Sequence, residues 1–95
     1  MRKVTSEIVR AFLKGESKKI GNSRTDSYNL YLHENKIASF NKDGFLQITA
    51  AGWLSNTTKE RLNALPNVKI SQKNFIWYLN GVAWNGKWIY IDYKR

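Results

Sequence analysis

Hydrophobic positions recur with a helical period at one end of the chain and alternate with polar ones through most of the rest. Between residues 4 and 14, Val4, Ile8, Ala11 and Phe12 fall on one face of a helix. Thr5 or Ser6 can cap its start, Glu7 suits the positive end of the dipole, and Gly15 stops it. At about three turns such a helix is marginal alone and must dock on a core. Residues 15–27 are polar, glycine-bearing and locally basic, and read as a loop.

Alternation then takes over. Residues 28–33 form a strand with Leu30 and Leu32 on one face and Tyr31 and His33 on the other. Glu34-Asn35 is the expected turn into a strand over 36–40, and Lys42-Asp43-Gly44 turns into a third over 45–49. A second helix is expected over 58–65. Thr57 and Glu60 have the capping-box spacing, Leu62 and Leu65 supply the buried stripe, and Pro66 ends it. Residues 67–71 and 75–79 are strand-like, Asn80-Gly81 and Asn85-Gly86 are turn dipeptides, and 87–91 is a final strand. Turns this short cannot make parallel crossovers. The order predicts a single α+β domain over 1–95: two short helices and a mostly antiparallel sheet of about five to six strands.

Composition narrows the functions available. The chain has 95 residues, no cysteine, one proline and one histidine. A disulfide framework, a thiolate metal site and a cysteine nucleophile are excluded, and a cytoplasmic setting is expected. Residues 1–13 carry Arg2, Lys3, Glu7 and Arg10 without a clean apolar run, unlike a signal peptide or membrane anchor. Sixteen Lys and Arg oppose seven Asp and Glu, a net charge of +9. Residues 1–24 hold seven of the basic groups and two of the acidic ones, so the positive field is densest there. Such a chain favours polyanionic partners: nucleic acid, a nucleotide or an acidic protein surface.

The candidate chemistry is that of binding more than of catalysis. His33 beside Glu34 is the one candidate for a small acid–base nuclease, and no metal or cofactor site is apparent in the spacing of the remaining residues. Lys18, Lys19 and Arg24 in the polar segment can neutralise phosphates. Flat side chains can stack on bases, and Tyr31, Trp53, Trp88 and Tyr90 are the expected platform. If Ile89 and Ile91 point inward, Trp88 and Tyr90 point outward; the competing reading puts Trp77, Trp84 and Trp88 in the core. Asn22, Thr25, Thr57, Thr58, Lys59 and Arg61 complete a possible anion site around the start of the second helix, where hydroxyls and amides could meet cations. The alternative is that the same hydroxyls only cap the helix and close turns. Partners from other classes stay open: a host protein inhibited by direct contact, a captured nucleotide, or a second copy of the chain across a two-faced aromatic sheet.

The stretches Gly21–Asp26, Leu30–Ala38 and Gly52–Asn63 resemble a family of small bacteriophage proteins. In it the pattern runs Asn-x-x-Thr, a strand ending in His-x-Asn, and a Ser-x-Thr-Thr-x-x-Arg-Leu-Asn helix start. The resemblance covers about Lys19 to Ile91 and implies a phage accessory protein acting inside the host cell, with counter-defence among its possible jobs. By analogy it favours Asn22, Arg24, Thr25, His33, Thr57, Thr58 and Arg61 as a site. Ser27 and Glu34 stand where the pattern leads one to expect glycine.

Overall fold

The computed structural model describes residues 3–52 and 55–95. The chain folds as α1 (Lys3–Lys14), β1 (Lys18–Ile20), β2 (Ser23–Thr25), β3 (Asn29–Leu32), β4 (Asn35–Phe40) and β5 (Phe45–Ile48). It continues with α2 (Asn56–Asn63), β6 (Ile70–Lys73), β7 (Ile76–Leu79), β8 (Val82–Ala83) and β9 (Ile89–Lys94). Six strands form one antiparallel sheet in the order β1-β2-β3-β4-β5-β9, and β6-β7-β8 form a second. The α+β expectation holds, with the strands divided between two sheets.

One face of the large sheet carries the core. Leu30, Leu32, Ile37, Leu46, Ile48 and Ile91 turn inward and meet Ile8, Val9 and Phe12 of α1. The Phe12 ring stacks on Phe40 at 4.9 Å. Each fully buried aliphatic or aromatic side chain contributes about 1.5–3 kcal/mol, which holds a helix too short to stand alone. Gly15, at φ +76°, ends α1: its N–H reaches Phe12 O and the next N–H, of Glu16, reaches back to Ala11 O. Arg95 completes that end. Its guanidinium lies over Phe40 and donates to Phe12 O and Ser27 O, both at 2.7 Å.

The small sheet shares this core through Ile70, Trp77, Leu79 and Trp84. Thr49 and Ala50 both donate to Gly86 O, and Asn63 grips Ile70 with two hydrogen bonds, so β6 is tied to the end of α2. Trp77 and Trp84 are buried, as the core reading requires, whereas Trp88 is 48% exposed.

Four local expectations are corrected. The segment 15–27 is no loop but contains the β1–β2 hairpin, because Ser23 and Thr25, though polar, are buried with partners for their hydroxyls. The β3–β4 turn is His33-Glu34, both at positive φ, one residue earlier than expected. The N-cap of α2 is Ser55, whose hydroxyl accepts from Thr58 N–H, so the helix begins two residues before the expected start. The last strand runs on to Lys94, past the expected end. Among the described residues no helix is long and apolar enough to cross a membrane.

Candidate functional site

Strand β2 separates two chemistries. Ser23 and Thr25 point into the protein and Arg24 points the other way, onto the sheet face that the core does not use. Register then extends a row across four strands: Lys19 pairs with Arg24, Arg24 with Tyr31, and Tyr31 with Lys36. A bulge in β4 makes the last step possible. It lets Ile37 and Ala38 both bury while Lys36 and Ser39 stay outside. The Arg24 guanidinium lies 4.0 Å from the centre of the Tyr31 ring, and Lys36 Nζ lies 5.9 Å from it. Glu34, strongly exposed, reaches Arg24 Nη2 at 3.2 Å. Each of these contacts is worth at most about 1 kcal/mol at an exposed site, so Arg24 is steadied but not locked.

The same face continues through Asn29, Ser39, Gln47 and Tyr90, each paired with the next, to Phe45 beside Lys94. Lys94 Nζ stands 5.4 Å from the Phe45 ring, and Tyr90 is 63% exposed. Tyr31 and Tyr90 of the expected platform therefore share this face. Trp88 precedes β9 and is half exposed, and Trp53 lies outside the described residues. Lys36, Phe45 and Lys94 were not singled out from the sequence. Register was the missing signal: a bulge shifts the alternation from which the facing of Lys36 would be read, and Phe45 meets Lys94 only through the pairing of β5 with β9.

Beside the row, Ser17, Lys18, Lys19, Arg24, Thr25 and Asp26 line a shallow groove of about 390 Å³. Within it, Thr25 is a staple: its hydroxyl donates to Glu16 O at 2.7 Å and accepts from Lys18 N–H at 3.0 Å. Burial alone would push the Asp26 carboxyl up. Hydrogen bonds from the Tyr28 amide and from the side chain and amide of Asn29, with the charge of Arg24, instead hold it below the usual carboxylate range.

On the inner side of β2 lies the second part of the expected anion site, and it is built differently. Arg61 is 3% exposed, so it does not present a cation to solvent. Its Nε donates to Ser23 Oγ at 3.1 Å, and its Nη1 donates to Thr5 Oγ1 and, at 2.7 Å, to Glu60 Oε1. Thr5 also donates to Glu60 Oε1. A buried guanidinium is tolerable only with its charge and donors answered, and here one arginine joins α1, α2 and β2. The chain of contacts runs outward from Ser23 to Asn22 Oδ1 at 3.4 Å, and Asn22 Nδ2 lies 3.2 Å from His33 Nε2.

His33 opens onto a cleft of about 450 Å³ with Leu32, Asn35, Ile37, Ser55, Thr57 and Thr58. The structure thus brings His33 to the hydroxyl-rich start of α2, while Arg24 stays on the other face. Thr58 is buried and engaged with Ser55. Lys59, half-buried on the first turn of α2, lines neither this cleft nor the groove. Among the described residues no three His, Asp or Glu side chains gather as metal ligands.

Comparison with known proteins adds one match. A family model described as Kyanoviridae Gp96 protein covers residues 1–95. No curated protein and no solved structure matches the chain.

Proposed function

The chain belongs to the Kyanoviridae Gp96 family, a bacteriophage protein family, and we propose that it binds single-stranded nucleic acid on the open face of its six-stranded sheet. The observation that carries this is the Lys19–Arg24–Tyr31–Lys36 row, three cations and an aromatic ring on four successive strands, with Arg24 and Lys36 flanking the ring. Cations at that spacing suit successive phosphates, and the exposed rings of Phe45 and Tyr90 offer faces on which bases stack without sequence preference. The net charge of +9 supports fast, salt-dependent encounter with a polyanion. Arg24 can leave Glu34 for a phosphate at little cost, since an exposed ion pair is weak.

Anisotropy titration of short labelled RNA and DNA at two salt concentrations tests the reading. Binding that weakens with salt, and that falls about tenfold in the Arg24→Ala, Lys36→Ala double variant, is the expected result. No binding at low salt, or binding indifferent to salt, counts against it. A host partner that survives nuclease treatment moves the reading to protein inhibition. A second reading, capture of a small nucleotide, is favoured by the cleft between His33 and the start of α2. Calorimetry with a nucleotide panel tests it, with Thr57→Val expected to abolish any heat.

A further inference from the structure

The β6–β7 hairpin ends in a feature that folding does not account for. Lys73 pairs with Ile76, so the loop is the dipeptide Asn74-Phe75, with φ at +52° and +66°. Both values belong to the tight turn that suits hairpin twist, and its second position is the usual place of glycine. A phenylalanine held there is strained, because in the left-handed region its Cβ crowds the following carbonyl oxygen. It recovers nothing by burial, for Phe75 is 95% exposed.

Its surroundings point to a partner. The register places Lys73, Ile76, Tyr78 and Ala83 on one face of the small sheet, and Ile76 is 48% exposed. Beside them Ile76, Ala83, Trp84 and Asn85 line a groove of about 400 Å³. From residue 61 to residue 91 the chain has no Asp or Glu, while Lys69, Lys73 and Lys87 are all exposed. A projecting ring and an apolar groove with cations and no carboxylates in that stretch complement a ligand that is flat and apolar in part and anionic in part. An unpaired nucleotide has that chemistry; a base pair inside a duplex hides its faces. We infer that the β6–β7 hairpin is a second nucleic-acid contact, in which Phe75 stacks on an unpaired base and Lys73 faces the adjoining phosphate. This rests on the reading of the chain as a single-strand binder and adds a site remote in sequence from the Lys19–Lys36 row.

The test uses the full chain with a short labelled single strand carrying 2-aminopurine, and with the matching duplex. Phe75→Gly relieves the turn and is expected to fold as stably as the parent, checked by thermal melting. It should lose about tenfold in single-strand affinity and most of the change in 2-aminopurine fluorescence. The slope of affinity against salt should stay unchanged, because no charge is removed. Phe75→Trp should keep both signals, and duplex binding should respond to neither change.

Four outcomes separate the possibilities. If Phe75→Gly binds like the parent while Arg24→Ala, Lys36→Ala binds weakly, the hairpin contact is overturned and the open-face reading stands. If only Phe75→Gly weakens binding, the hairpin contact stands and the open face fails. A parent that binds no single strand overturns both. Phe75-dependent binding to anionic phosphatidylserine vesicles, or Phe75-dependent self-association, with single-strand affinity unaltered by Phe75→Gly, overturns the contact in favour of that other occupant.

Discussion

Arg24 and Arg61 meet β2 from opposite sides, and their contrast separates what holds this protein together from what faces a partner. Arg61 binds the side chain of Ser23, one residue from Arg24, yet it is buried with two hydroxyls and a carboxylate around it. Arg24 has a ring beneath it and one exposed carboxylate beside it. Burial makes the first arginine expensive to disturb, because Thr5 and Ser23, buried with it, cannot turn to water. Exposure leaves the second free to exchange one weak partner for another. Net charge counts the two alike; the strand's alternation gives them different work.

The largest effect is expected on the inner side. Arg61→Ala removes the charged donor shared by Glu60, Thr5 and Ser23 and should destabilise the fold by about 3 kcal/mol. In thermal melting this appears as a loss of more than about 10 °C. A smaller loss would mean that the buried tie is dispensable and that the contrast with Arg24 is overstated.

Next in size is the outer side. Arg24→Ala should change stability by less than about 0.5 kcal/mol, yet weaken single-strand binding severalfold at low salt and reduce the salt slope by about one. A variant that melts early without a binding defect would place Arg24 with Arg61 as a structural group.

A finer test concerns Glu34, which sits at φ +65° and competes for Arg24. Glu34→Gly suits the turn and releases the guanidinium, so affinity for single strands should rise about threefold with stability nearly unchanged. Unchanged affinity would show that this ion pair does not restrain the face.

The smallest effect is in pH. Asp26 has its folded pKa below the unfolded one, so its contribution is present above the ordinary carboxylate pKa and fades as pH falls through the folded value. The stability gap between the parent and Asp26→Asn should therefore be widest near neutrality and close below about pH 4. A gap independent of pH would assign the turn's order to shape alone.

Much of the architecture was legible in residue patterns, and the exceptions have physical causes. The period of Ile8, Ala11 and Phe12 and the alternation of Leu30 and Leu32 report burial directly, because apolar groups bury without needing partners. Ser23 and Thr25 were unreadable for the opposite reason. A hydroxyl buries only where something answers it, and the answers, Arg61 and Glu16 O, come from elsewhere in the chain. The candidate site divided along the same line: Lys18, Lys19, Arg24 and Tyr31 gathered, and Arg61 did not. Phe75 passed as a strand residue because its turn is visible only in backbone angles.

The residues alone, then, determined an α+β chain with helix α1, the main antiparallel strands and a surplus of positive charge, all local or additive properties. Which cations face water, which hydroxyls are buried and which rings line up across strands were decided by register, a bulge and distant hydrogen-bond partners. Facing is a relation between segments, and it exists only once the sheet has formed.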